Sequence, residues 1–246
     1  MYQGHQIGVV IPAYNEELLI ADTIRSVPEF VDSVCVVNDG STDRTAEIIQ
    51  SFHDPRICHI NDSENHGVGA AIVSGYKQAL GGNMDIVVVM AGDNQMDPAH
   101  MIKLISPIIE DAADYAIGDR LSQPNYSTGM SKWRRFGNWL LTWLTRIAVG
   151  NWHINDPQNG YTAISLEALK KINLDCIYPG YGYCNDLLVK LTACRCKIVN
   201  IPIPAIYGNE KSKIKYTHYI PKLSWLLLKD LFWRLKVSHL RSNKSY

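Results

Sequence analysis

Up to about Asp119 the chain alternates short, β-rich apolar runs with helical patterns, and that alternation leaves few folds open to it. Ile7 to Ile11, Val34 to Asn38, Arg56 to Ile60, Asp85 to Met90 and Tyr115 to Gly118 read as strands. Leu18 to Ser26, Thr45 to Phe52, Val68 to Leu80 and Pro98 to Glu110 read as helices between them. Apolar strands separated by helices belong to a mostly parallel sheet covered on both faces, so an α/β fold is expected. In such sheets ligands bind beyond the carboxyl ends of the strands, near the point where strand order reverses, and the loops after these strands are where chemistry is sought.

The second half changes character. A Trp/Arg-rich stretch, Lys132 to Val149, predicts a helix; Asp156-Pro157-Gln158-Asn159-Gly160 reads as a turn, and Tyr178 to Tyr183 as a glycine-aromatic loop. A short strand, Ile198 to Ile206, precedes a final helix from Tyr219 to about Leu240. With 246 residues, 46% hydrophobic and 20% charged, the chain can bury one large core. The formal net charge is zero, yet after residue 210 Lys211, Lys213, Lys215, Lys222, Lys229, Arg234, Lys236, Arg241 and Lys244 face only Asp230. Two units are therefore expected, a main domain at 1–210 and a basic amphipathic helical tail at 211–246, the tail suited to anionic partners. Six cysteines without a CxxC pair, and a polar start without signal-peptide character, predict reduced thiols in a cytoplasmic protein. No apolar run reaches the roughly 18 to 20 residues that a spanning helix needs.

Four post-strand segments carry chemistry. Pro12-Ala13-Tyr14-Asn15-Glu16-Glu17 follows the first strand, and an aromatic face with hydrogen-bonding neighbours suits a nucleobase and ribose; an ordinary strand-turn-helix cap has the same composition. After the second strand, Asn38-Asp39-Gly40-Ser41-Thr42-Asp43 supplies a turn glycine and capping side chains, which leaves the carboxylate of Asp39 in want of a partner. Asn65-His66-Gly67-Val68-Gly69-Ala70-Ala71 fails the dinucleotide fingerprint, because Ile72 stands at its sixth position; a helix start that packs closely or faces a phosphate remains, with His66 as a local cap. The fourth strand runs into Ala91-Gly92-Asp93-Asn94-Gln95-Met96-Asp97, where Asp93 is placed to hold a hard divalent cation against a diphosphate, unless Asp93 merely solvates the loop and Asp97 caps the helix at Pro98.

In order and spacing these segments resemble family 2 glycosyltransferases, especially the branch containing dolichyl-phosphate mannose synthase and polyprenyl-phosphate sugar transferases. The resemblance implies a GT-A fold, Rossmann-like, with a C-terminal amphipathic helix. It implies that Pro12, Tyr14, Glu16 and Asp39 line the nucleotide pocket, and that Asp93 and Gln95 occupy the metal positions of the family's DxDxQ pattern, with Mg²⁺ or Mn²⁺ as cofactor. Asn38 and Ala91 stand where the family usually carries acids, and Thr162 where related synthases often carry Arg. With one carboxylate lost, metal affinity is expected to be low until the sugar nucleotide arrives.

On the acceptor side Arg120 ends the fifth strand, and Arg134 and Arg135 follow in the Trp/Arg-rich stretch. Guanidinium groups match phosphate geometry, as the resemblance implies for Arg120, while a solvated helix start accounts equally for the Lys132 cluster. Asp186 matches an acidic position near the acceptor, with an N-cap role for Asn185 or Asp186 as the competing reading. Lys213, in Lys211-Ser212-Lys213, matches the family's Ser-Lys element and embraces the acceptor phosphate in that reading. Trp, Leu and Lys mixed from Ile220 to Leu235 suit a helix lying in lipid headgroups; packing on the chain's own core or on a second subunit, as in a homo-oligomer, gives the same pattern. The expected activity is inverting transfer of a sugar from a UDP- or GDP-sugar donor to a polyprenyl or dolichyl phosphate at the membrane surface, with Asp93, Arg120 and Asp186 in the reaction centre. A saccharide or other soluble acceptor, or a non-catalytic sugar-nucleotide-binding scaffold, are the alternatives, and no nucleic-acid partner is expected.

Overall fold

A computed structural model describes residues 1–123, 132–204 and 216–242 of the chain. The elements run β1 (Ile7–Ala13), α1 (Ile20–Ser26), β2 (Ser33–Asp39), α2 (Thr45–Gln50), β3 (Ile57–Asp62), α3 (Val68–Gly81), β4 (Ile86–Val89), α4 (Met101–Ile109), β5 (Tyr115–Asp119), α5 (Lys132–Val149), β6 (Thr162–Ser165), α6 (Leu166–Lys171), α7 (Tyr183–Ala193), β7 (Ile198–Pro202) and α8 (Tyr216–Ser242). They build one seven-stranded sheet of order β3-β2-β1-β4-β6-β5-β7. Strand order reverses between β1 and β4, which pair in parallel, so the crevice at their carboxyl ends is the switch point where α/β sheets place ligands. The fold is the mixed α/β arrangement expected from the alternation.

The central strands β1, β2, β4 and β5 are almost wholly buried because successive side chains feed two different cores. Val9, Ile11, Val34, Val36, Ile86 and Val88 meet α1, α2 and α4 through Ile20, Ile24, Ile49, Leu104 and Ile105. Their neighbours Val10, Val37, Val87 and Val89 meet α3, α5, α6, α7 and α8 on the other face. Two residues of α8, Leu223 and Leu227, are buried in that second core beside Leu141 of α5 and Leu187 and Leu188 of α7. The final helix thus packs on α5 and α7.

One strand was not legible. β6 is only four residues long and follows directly on the 156–161 turn, yet it inserts antiparallel between β4 and β5. Without it β4 and β5 would lack the ladder that joins the two halves of the sheet. Immediately after it, the Ser165 hydroxyl accepts from the Ala168 amide at 3.1 Å and starts α6. Among the described residues no helix is long and apolar enough to cross a membrane.

Candidate active site

The loops after β1 and β2 are stitched to each other by backbone and short polar side chains. The Asn15 amide donates to Ser41 Oγ at 3.0 Å, the Glu16 amide to Thr45 Oγ1 at 2.9 Å, and the Thr42 amide to Asn15 Oδ1 at 2.8 Å. Asn15 adopts a left-handed backbone (φ 53°), a conformation that asparagine tolerates better than most residues. Pro12 and Glu16 are partly buried in this loop and Tyr14 is exposed. Asp39 is buried, and its partners are amides: His66 N–H at 2.7 Å and Gly67 N–H at 2.9 Å. His66 contributes its backbone here, and no side chain caps α3.

The next amides at the start of α3, Gly69 and Ala70, donate to the Pro179 carbonyl at 2.7 and 3.1 Å. Of the two uses open to this glycine-rich start, close packing is the one realised. Gly67 has φ +99° and a Cβ there would fall 2.6 Å from the Pro179 oxygen; at Gly69 it would fall 2.2 Å from the Tyr178 oxygen. The glycines therefore bring the 178–180 loop against the start of α3.

β4 delivers the third loop to the end of β1: Gly92 N–H donates to the Pro12 carbonyl at 3.2 Å and the Thr23 hydroxyl to the Gly92 carbonyl at 3.1 Å. Asp97 accepts from the Ala99 amide at 2.9 Å and caps the 3₁₀ turn Pro98–His100 that leads into α4, as the capping reading expected. Asp93 is partly buried, and its Oδ1 receives the Gln95 amide at 3.2 Å across the left-handed Asn94 (φ 55°). Among the described residues no three His, Cys, Asp or Glu side chains gather as a metal cluster. The donor set at this loop is one carboxylate and one amide, both hard oxygen donors, which fits a Mg²⁺ or Mn²⁺ ion that draws most of its ligands from diphosphate and water.

Arg120, at the end of β5, meets an unforeseen partner. Its Nε and Nη2 donate to the two oxygens of Asp156 at 2.7 and 3.0 Å, and its backbone amide adds a third bond at 3.2 Å. The Asp156 side chain has 0% exposure and that of Arg120 21%, so this is a largely desolvated, bidentate pair. Around it, Asn155 donates to Asp119 Oδ2 at 2.8 Å and Asn159 to the Gly118 carbonyl at 2.7 Å. Tyr161 Oη donates to the Asp97 carbonyl at 3.0 Å and ties this turn to the Asp93 loop. Gly160 faces Met96 Cε and Tyr183 Oη, each within 3.4 Å of where its Cβ would stand.

Asp186 lies in the first turn of α7, which begins at Tyr183 behind Gly182, so neither Asn185 nor Asp186 is the N-cap. It is buried, its Oδ2 accepts from the Tyr178 amide at 2.7 Å, and its Oδ1 is paired with Lys190. Asn185 donates to Thr145 Oγ1 of α5 at 2.7 Å. Burial pushes the neighbouring Cys184 thiol up to about 12, which keeps it protonated and donating weakly to the Asn159 carbonyl at 3.7 Å. Arg134 and Arg135 lie in α5 where side chains are not described, and Lys213 lies outside the described residues.

The carboxyl ends of β1, β2 and β4 thus gather Glu16, Asp39 and Asp93 at the switch point, with the Arg120–Asp156 pair at the end of β5. Residues 8–173 match the model of Glycosyl transferase family 2. The chain belongs to that family. The glycosyltransferase is 30% identical over 216 residues to UDP-N-acetylglucosamine--dolichyl-phosphate N-acetylglucosaminyltransferase of Methanococcus voltae, covering 82% of this chain and 86% of that one. It is 28% identical over 205 residues to undecaprenyl-phosphate mannosyltransferase of Micrococcus luteus, covering 80% and 82%. Glucosyl-3-phosphoglycerate synthase from Mycobacterium tuberculosis, crystallised with Mn²⁺, UDP and glucosyl-3-phosphoglycerate, shares the fold with a TM-score of 0.63 at 23% identity, over 94% of this chain and 80% of that one.

Two acidic residues have partners that sequence spacing does not show. Asp156 opens the 156–161 turn, and its partner Arg120 is 36 residues away in sequence. Asp230 of α8 is buried against α7, and its signal was present: it is the lone acid among nine bases after residue 210.

Proposed function

We propose that the glycosyltransferase moves a sugar, with inversion, from a UDP- or GDP-sugar to a polyprenyl or dolichyl phosphate, while attached peripherally to the cytoplasmic face of a membrane. The observation that carries this reading is the state of Asp186. Both of its oxygens are engaged, by the Tyr178 amide and by Lys190, which suits a loop-holding carboxylate better than a general base. An acceptor phosphate needs no such base, since its oxygen is already ionised near neutral pH. The names of the Methanococcus and Micrococcus relatives point to the same acceptor class.

In this reading Pro12, Tyr14 and Glu16 contact the nucleotide, and Asp39 supports them by bracing the start of α3. Asp93, aided by Gln95, would hold a Mg²⁺ or Mn²⁺ ion, whose chemistry is to neutralise charge on the leaving diphosphate. Arg120 has its guanidinium plane fixed by Asp156, and with Arg134, Arg135 and Lys213 it orients the acceptor anion for in-line attack. Membrane attachment uses aromatic side chains on α5, on the turn after it and on α8. Trp139, Trp143 and Trp152 are exposed and follow one another at centroid distances of 6.4 and 5.3 Å. Trp225, Leu228, Phe232 and Leu235 are exposed along α8, with Lys229 5.6 Å from the Trp225 ring centroid. Amphipathic aromatics bordered by cations match a headgroup layer that is apolar below and anionic above.

The test supplies labelled UDP-N-acetylglucosamine or GDP-mannose, Mn²⁺ and undecaprenyl phosphate in detergent, followed by organic extraction. Label in the lipid phase is the expected result. Label that stays with a water-soluble sugar acceptor, and never enters lipid, overturns the acceptor assignment.

A further inference from the structure

The inner face of α8 presents Leu223, Leu226, Leu227, Asp230 and Arg234, spaced three and four apart as on one side of a helix. Leu223 and Leu226 press on the 178–182 loop so closely that a Cβ on Gly182 would come within 2.7 Å of Leu226 Cδ2 and 3.1 Å of Leu223 Cδ1. Arg234 anchors the helix further on, donating from Nε to the Ala148 carbonyl of α5 at 2.7 Å. Between these anchors Asp230 is buried, and its Oδ2 has no hydrogen-bond partner among the described residues. It stands beside Asp186 and Lys190 of α7, and Lys190 is in turn 6.0 Å from the ring centroid of Trp233.

Two carboxyl groups and one ammonium share this seam. Ionised together they leave an uncompensated negative charge in a desolvated place, and one proton removes it. Among the described residues, Arg234 lies one turn further along the same face, with its guanidinium donating to the Ala148 and Ile147 carbonyls. Lys229 is the neighbour of Asp230 on α8, and the buried face of α5 offers Leu141, Thr142 and Thr145, none of them titratable. Burial first, then repulsion from Asp186, raises the Asp230 carboxyl to about 7, with Lys190 acting in the opposite direction. A neutral carboxyl is a donor, and Asp186 is the acceptor beside it.

We propose that Asp230 is a positioning residue of the acceptor side: its neutral carboxyl hydrogen-bonds Asp186, clamps α8 onto α7 and the 178–182 loop, and releases that loop when it loses its proton. The clamp rests on the proposed function only in placing this loop beside the acceptor. Docking binds one more proton than the undocked helix does, so it is strongest below the raised carboxyl value and weakens as pH rises through it.

Hydrogen exchange on the full chain tests the clamp without a substrate. The Tyr178 amide, which donates to Asp186, reports docking after correction for the intrinsic pH dependence of exchange. With a carboxyl at about 7, its protection should fall about tenfold between pH 6 and pH 8. Asp230→Asn and Asp230→Leu should each be flat over that range; the pair guards against either variant folding poorly. A wild-type protein without the fall, or an Asp230→Asn variant that keeps it, overturns the proposal. A second readout is the acceptor KM for undecaprenyl phosphate, which should rise with pH in the wild type and not in Asp230→Asn, with donor KM unchanged in both. If exchange behaves as expected but no lipid is glycosylated, the clamp stands and the acceptor assignment fails.

Discussion

Asp156→Ala should destabilise the enzyme chiefly by stranding Arg120. The lost carboxylate accepts three bonds from that one residue, at 2.7, 3.0 and 3.2 Å, from a position without solvent access. Removing one partner of a buried pair costs about 3–5 kcal/mol, because the other charge stays desolvated. Arg120 keeps 21% exposure, so water recovers part of that, and a loss of about 2–4 kcal/mol is expected. For a chain of this length each kcal/mol shifts Tm by about 2–4 °C, which puts the fall at roughly 10 °C. The cause is separated from simple loss of packing by a double-mutant cycle with Arg120→Ala, followed by urea denaturation. If stranding dominates, the double variant is more stable than the sum of the singles by about 1–3 kcal/mol. Additivity within about 0.5 kcal/mol would refute the reasoning, and with it the claim that Asp156 exists to fix the guanidinium.

Asp93→Ala, which removes a carboxylate placed beside the Gln95 amide, should cut turnover about a hundredfold or more at saturating donor and Mn²⁺ while leaving Tm within a degree or two; retained turnover rejects the metal assignment. Leu227→Ala should lower stability by about 2–4 kcal/mol in urea, since the side chain is buried in the same core as α3 and α7; a change under about 0.5 kcal/mol would mean that α8 is a detachable tail. Trp139→Ser with Trp143→Ser, both exposed, should weaken co-sedimentation with anionic phospholipid vesicles at least about tenfold with little change in Tm, and equal binding by the variant would remove α5 from the membrane contact.

The sheet was legible because its signals are local. The apolar runs that became β1, β2, β4 and β5 sit within a residue or two of their expected bounds, and α5 occupies Lys132–Val149 as read. β6 was not, since four residues carry too little pattern to distinguish a strand from the end of a turn. Asp97 was expected as a cap and is one, a contact spanning two residues. The resemblance to family 2 glycosyltransferases was also legible, because the Tyr14, Asp39 and Asp93 segments each follow a strand, and their order survives in one dimension.

Partnership was the part that only tertiary structure decided. Arg120 reads in sequence as a phosphate ligand, and only the 156–161 turn, entering beside β5, reveals that Asp156 holds its guanidinium in place. Asp39 reads in sequence as a carboxylate in want of a partner, and α3 presents two amides to it. Asp230 looked like one acid in a basic tail until α8 lay across α7. Periodicity and turn chemistry act over a few residues, so the chain alone could specify its elements and place its reactive loops at strand ends. Which charge meets which depends on strand order and helix docking, and those are set by burial summed over the whole molecule.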